Sequence, residues 1–279
     1  MFSSLLTATF ALSAAAAWGS GDFTGGLVSR RIGAFHTILI SYTVGLIALV
    51  IIALARHELL PSPVVLMWGA LAGLSGMAGL GFLFRGFATG RMGIVAPVSA
   101  VLATSVPVVF TAVTVGLPHE LQLFGFGLAL ISIWLLSRPE RFGGRPAGLG
   151  MALLAGLGFG LFFTALDQVG KDTVFWPLVA GRLASCLVLV GFALITRRPL
   201  SPPLAPFGRL TLAGVLDVAG NFFFLLAIQG GRLDIAAVLG SLYPAVTALL
   251  ARLITMECMA RLQVIGVVIA ILAIALITV

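Results

Sequence analysis

Charge is what this sequence has least of. Only 9% of its 279 residues are Asp, Glu, Lys or Arg, where soluble globular domains carry about 25%. That leaves too little polar surface for a soluble enzyme or an appended signalling domain. Lysine occurs once, at Lys171, so the net charge of +7 rests on arginine. No basic run with interleaved aromatics is present, which argues against a nucleic-acid surface. The two cysteines, Cys186 and Cys258, sit in or beside apolar segments. They read as buried thiols and make no disulfide framework. His36, His57 and His119 have no metal-ligand spacing. There is no His-Glu-x-x-His, Gly-x-Ser-x-Gly or phosphate-binding Gly-Lys-Ser/Thr motif, which argues against a metalloprotease, a serine hydrolase and an ATP-driven pump. No cofactor, metal or catalytic group is therefore expected. No basic stretch precedes the first apolar segment, so no cleavable signal is expected either.

What is abundant is hydrocarbon. The chain is 60% hydrophobic with a mean hydropathy of +1.19. Its apolar residues form ten continuous segments, at about 4–28, 34–55, 64–88, 92–115, 121–138, 147–168, 174–195, 208–229, 233–255 and 260–279. Each is near the length that spans about 30 Å of hydrocarbon at 1.5 Å per residue, whereas barrel strands would be about 10 residues long and alternating. The expectation is an all-α integral membrane protein of ten transmembrane helices. Loop arginines orient it. The connections after the odd-numbered segments hold Arg30, Arg31, Arg91, Arg138, Arg141, Arg145, Arg197, Arg198, Arg209 and Arg261, against Arg56, Lys171 and Arg232 after the even-numbered ones. The first set belongs in the cytoplasm, which puts both termini outside.

The sequence also repeats itself. At one offset of 141 residues Leu71-Ala72-Gly73 matches Leu212-Ala213-Gly214, and Ala78-Gly79 matches Ala219-Gly220. Phe82 matches Phe223, Gly90-Arg91 matches Gly231-Arg232, Leu121-Gln122 matches Leu262-Gln263, and Gly125 matches Gly266. The chain thus divides into residues 1–142 and 143–279, each with five segments. An odd number per copy inserts the two copies upside down to each other, as in secondary transporters with a site at the repeat interface. Glycines at Gly69, Gly73, Gly76 and Gly79, and at Gly148, Gly156 and Gly160 with Ala152, read as close helix packing.

Ten segments, the five-plus-five repeat, Trp18-Gly19-Ser20, and Ser241-Leu242-Tyr243-Pro244 followed by Glu257 and Gln263-x-x-Gly266 together resemble the drug/metabolite transporter superfamily, in particular its EamA-like members. The resemblance covers essentially the whole chain. It implies a bacterial inner-membrane, multi-pass exporter of small metabolites or drugs. It also implies a central cavity walled mainly by the first, third, fourth, sixth, eighth and ninth segments. Its partners would be a small-molecule substrate and the bilayer, with or without protons, in a monomer or homodimer.

Polar exceptions to the repeat mark the candidate site. Asp22 aligns with Phe163, Arg182 with Ser41, Asp217 with Gly76, and Asn221 with Leu80. A charge at membrane depth costs about 2.5–3.5 kcal/mol on insertion scales, so such a residue calls for a function or a partner. Trp18 and Asp22 are four residues apart, as are Asp217 and Asn221, which puts each pair on one helical face. A carboxylate in a low-dielectric cavity suits proton binding and release. Asp22 or Asp217 is therefore expected to carry a coupling proton or to meet an amino or cationic group of the substrate. Arg182 either holds a carboxylate substrate or pairs with one of these acids. The aromatic candidates are Trp18, Tyr42, Phe82, Phe223 and Tyr243. A single mid-segment arginine is too little for a sugar phosphate. A competing reading takes Gly19-Ser20-Gly21-Asp22 as the Gly-x-Gly-Asp of an intramembrane aspartyl protease, with Asp217 as the second acid. The chain order and the missing Pro-Ala-Leu speak against it.

Overall fold

A chain in hydrocarbon must satisfy its backbone hydrogen bonds internally, and helices do that segment by segment. The computed structural model describes residues 2–89, 92–136, 148–200, 206–254 and 261–278, and among them every regular element is a helix. In chain order these are α1 (Phe2–Ile32), α2 (Ala34–Ala55), α3 (Pro63–Thr89), α4 (Met92–Thr114), α5 (Glu120–Leu136), α6 (Leu149–Asp167), α7 (Phe175–Thr196), α8 (Phe207–Gly230), α9 (Leu233–Gly240), α10 (Tyr243–Ile254) and α11 (Arg261–Thr278). Five of them, α2, α3, α6, α7 and α8, are long and apolar enough to cross a bilayer. The protein is a multi-pass membrane protein.

One expected segment is not a single helix. Residues 233–255 divide into α9 and α10 at a turn over Ser241 and Leu242. Pro244 favours the break there: its ring crowds the Gly240 carbonyl four residues back, and it has no N–H to donate to it, so α9 ends at Gly240. At the start of α10 that missing N–H goes unnoticed. The connection of residues 137–147, with the expected boundary at 142, lies outside the described residues, as do Gly90, Arg91, Glu257 and Cys258.

The main contacts cross from one half of the chain to the other. α1 packs on α8 and α3 on α6; α2 meets α8 and α3 meets α7; α1 meets α9 and α10, and α4 meets α6. α5 pairs with α11, where the buried Ser132 hydroxyl donates to the Gly266 carbonyl at 2.8 Å. Lipid removes most of the hydrophobic drive between helices, so close backbone approach has to supply cohesion. Gly73 of α3 lies on the backbone of Gly181 in α7, and Gly69 on Pro177, so closely that a Cβ on either glycine would enter the neighbouring main chain. Gly158 of α6 abuts Gly79 of α3 in the same manner.

Candidate functional site

The stretch around Asp22 is helical throughout, and its small residues are used in packing. Gly19 lies on the Tyr243 carbonyl and on Val246 of α10, and Gly21 on α8 at Ala213 and Leu216. The Thr247 hydroxyl also donates to the Gly19 carbonyl at 3.0 Å. With that side of α1 taken up by its neighbours, Trp18 and Asp22 turn into an internal cavity. About 70 Å³ of it admits the centre of a water-sized sphere.

Six of the eight expected site residues meet there: Trp18, Asp22, Arg182, Asp217, Asn221 and Tyr243 all line the cavity. The Trp18 indole donates to Asn221 Oδ1 at 3.0 Å. Arg182, 5% exposed, forms an ion pair with Asp217, and its guanidinium lies 3.8 Å above the Tyr42 ring centroid. A buried guanidinium needs both a counter-ion and a face to lie on, and here it has both. Asp22 differs from Asp217. Among the described residues it has neither an ion-pair nor a hydrogen-bond partner, and it also borders a second, smaller cavity running toward Thr37 and Phe84. The site therefore holds one neutralised acid and one free one. That arrangement also removes the basis of an aspartyl dyad, in which two carboxylates share a proton.

The other two expected residues lie elsewhere. Phe82 faces a wide cleft near the arginine-bearing ends of α1, α3 and α7, together with Phe35, Arg85 and Arg198. Phe223 stacks on Phe10 at 6.5 Å and touches Phe222. The rings that do form the aromatic wall are Phe162, Phe163 and, behind them, Phe224. Trp18 is 6.1 Å from Phe162, 5.7 Å from Phe163 and 5.4 Å from Phe224 by ring centroids. Signals in the sequence pointed to two of them. Phe224 lies seven residues beyond Asp217, on the same helical face. Phe163 is the repeat counterpart of Asp22.

This cavity, with an ionisable and aromatic lining between interlocked helices, is what a carrier of small molecules needs, and the family assignment agrees. Residues 146–279 match the EamA-like transporter family. That family is one of membrane transporters of the drug/metabolite superfamily, not of enzymes. The EamA-like match covers α6 to α11, and so includes Arg182, Asp217, Asn221 and Tyr243 of the cavity. A solved structure titled "Crystal structure of protein" is similar over 97% of this chain and 95% of its own, with a TM-score of 0.75 and 18% identity. At that identity the likeness shows the fold alone. No curated protein matches the sequence.

Proposed function

We propose that this EamA-like chain is a secondary transporter that exports small amphipathic molecules by alternating access, with Asp22 as the group that takes the substrate's amino or cationic end or the coupling proton. The observation that carries this reading is the free carboxylate of Asp22 in a cavity where Arg182 already neutralises the other acid. Aromatic walls accept the apolar part of such a substrate, and Asn221, held by Trp18, offers a further polar contact. In our reading the membrane is the bacterial inner membrane, with the arginine-rich loops in the cytoplasm and both termini outside.

The architecture behind the proposal is ten membrane segments in two inverted five-segment repeats. Helix packing supports it. Shifting each helix to its repeat counterpart turns the α1–α8 contact into α6–α3, α2–α8 into α7–α3, and α1 against α9 and α10 into α6–α4, all of which are present. The cavity lining agrees. Trp18 and Phe159, Asp22 and Phe163, Gly76 and Asp217, and Leu80 and Asn221 are four repeat-related pairs, and all eight residues line it. The scaffold is symmetric and its chemistry is not.

Our reading of the direction as export draws support from what adjoins the cavity. The smaller cavity shares Trp18, Tyr42, Asp22, Leu80 and Asp217 with it, and shares Ile38 and Phe84 with the wide cleft at the arginine-rich face. In our reading these linked spaces are the route by which substrate reaches Asp22 from the arginine-rich side, which we take as the cytoplasmic one, where an exporter loads. The test is a counterflow screen of small amines, amino compounds and hydrophobic cations in proteoliposomes, with and without an imposed pH gradient. The proposal expects saturable transport of at least one cationic or amino compound. Transport confined to anions, or none together with cleavage of a membrane peptide, would overturn it.

A further inference from the structure

We propose that Glu58 latches the face opposite the arginine-rich side, so that the cavity rests open to the arginine-rich side. The proposal rests on the transporter reading above and adds the residue that sets which way the resting protein faces.

Glu58 sits in the short connection between α2 and α3, where its neighbours Leu59 and Leu60 are 87% and 66% exposed. It does not extend into solvent as an ordinary loop acid would. Its Oε1 accepts hydrogen bonds from the Thr173 hydroxyl at 2.8 Å and the Val174 N–H at 2.5 Å. Its Oε2 accepts from the Phe175 N–H at 2.9 Å, and its backbone carbonyl accepts from the Trp176 indole at 2.8 Å. These groups form the start of α7, whose own N-cap residue, Val174, provides no side-chain cap. The free N–H groups and positive dipole end of a helix favour an anion, and α7 receives one from a different helical hairpin. On the far side of this junction, Gln229 at the end of α8 donates to the Gly170 and Thr173 carbonyls at 3.0 and 2.9 Å. Glu58 therefore grips a loop that is itself anchored.

The backbone is shaped for this grip. His57 has φ 50°, in the left-handed region, and the Glu58 N–H closes the turn on the Ala53 carbonyl at 3.1 Å. A non-glycine residue there is uncommon, and a structural reason is expected when one occurs. α7 ends in the same turn on the other face: Arg197 has φ 52° and the Arg198 N–H bonds the Ala193 carbonyl at 2.9 Å. So Arg198 holds the place there that Glu58 holds here. A guanidinium has no acceptor for helix N–H groups. Arg198 lies over the Phe192 ring at 5.6 Å and lines the wide cleft instead; on that face the start of α2 meets the connection after α7 through a single neutral contact, His36 Nε2 to the Pro199 carbonyl at 2.9 Å, with no carboxylate on the α2 N–H groups among the described residues.

The two faces of the α3–α7 pair differ accordingly. Near Glu58 the helices touch backbone to backbone at Gly69–Pro177 and Gly73–Gly181. Toward the arginine-rich end Met77, Gly81 and Arg85 of α3 stand across the cleft from Leu189 and Phe192 of α7, with about 2180 Å³ of space between its walls, part of it open to the outside. An acid at one turn and an arginine at its counterpart give the symmetric scaffold a preferred direction.

The test reads access to the cavity without needing a substrate. Cys186 and Cys258 are replaced by serine, and Leu166→Cys is added, a cavity-lining position 1% exposed near the Glu58-side end of α6. A membrane-impermeant maleimide is applied to oriented vesicles. The exposed Lys171→Cys identifies the orientation that presents this face. Replacing Glu58 by Ala should raise the labelling rate of Leu166→Cys from this side roughly tenfold, the scale of losing a charge-assisted cap. Glu58→Gln, which keeps one acceptor and the side-chain shape, should give a smaller rise. Unchanged labelling in Glu58→Gln and Glu58→Ala proteins that elute as the parent does would overturn the latch. If Glu58→Ala does not fold, Glu58→Gln decides alone: a rise supports the latch and no rise overturns it. The counterflow screen tests transport separately, so a failed latch and a failed transporter reading are distinguishable.

Discussion

Arg182 and Asp217 give the account a quantitative check. The guanidinium is 5% exposed and the carboxylate 27%, so the two single substitutions are not equivalent. Replacing Asp217 by Asn strands a nearly buried cation whose remaining support is the Tyr42 face. Breaking a buried pair in that way costs about 3–5 kcal/mol, and the opening to the cavity puts the expected loss near the lower figure, about 3 kcal/mol. Arg182→Met instead leaves the more exposed carboxylate, which cavity water reaches, and the expected loss is about 2 kcal/mol. The double variant Arg182→Met with Asp217→Asn strands neither charge. It should lose no more than about 2 kcal/mol, leaving a coupling of about 3 kcal/mol between the sites. Reversible unfolding in mixed micelles, followed by far-ultraviolet circular dichroism, measures all four proteins. A double variant whose loss equals the sum of the single losses to within about 0.5 kcal/mol would refute the pairing.

Other outcomes follow from close contacts. Gly73→Val places a branched side chain where the backbone of Gly181 lies, and should lower stability by at least about 1–3 kcal/mol in the same assay, as overpacking does. Trp18→Phe keeps the ring cluster but leaves the Asn221 oxygen without the indole donor; a loss of about 1–2 kcal/mol is expected, with transport reduced. Phe224, fully buried behind the cavity wall, should cost about 3–5 kcal/mol on truncation to Ala, whereas Phe223→Ala, outside the cavity lining, should leave substrate affinity unchanged in a binding assay.

The parts of this protein that were readable from sequence are those where lipid leaves few choices. Apolar runs of membrane length had to become helices; the break within the ninth was not legible in the same way, since Pro107 lies inside an unbroken α4 while Pro244 follows a break. Spacing by four residues brought Trp18 with Asp22 and Asp217 with Asn221 to one cavity, because helical faces are set by geometry alone. A buried Arg182 had to find a partner, but two acids at similar depth were available, and packing of α2, α7 and α8 decided for Asp217. Phe82 and Phe223 were misplaced for a different reason. Repeat equivalence says that two residues occupy matching positions on the scaffold, not that either faces the centre. Helical phase from Asp217 leads to Phe224 instead. Glu58 drew no notice because an acid in a loop ordinarily meets water. Its role depends on the start of α7 lying opposite, which local sequence does not encode.

The central claim is that Asp22 is the working carboxylate of a small-molecule carrier. Its most direct test is saturable uptake into proteoliposomes of the compound found by counterflow, measured for the parent, Asp22→Asn and Asp22→Glu with and without a pH gradient. The account predicts that Asp22→Asn loses at least about 90% of transport, as loss of a charge-assisted contact implies, while Asp22→Glu retains a measurable part of it. Undiminished transport by Asp22→Asn, with the same response to the pH gradient as the parent, would contradict it.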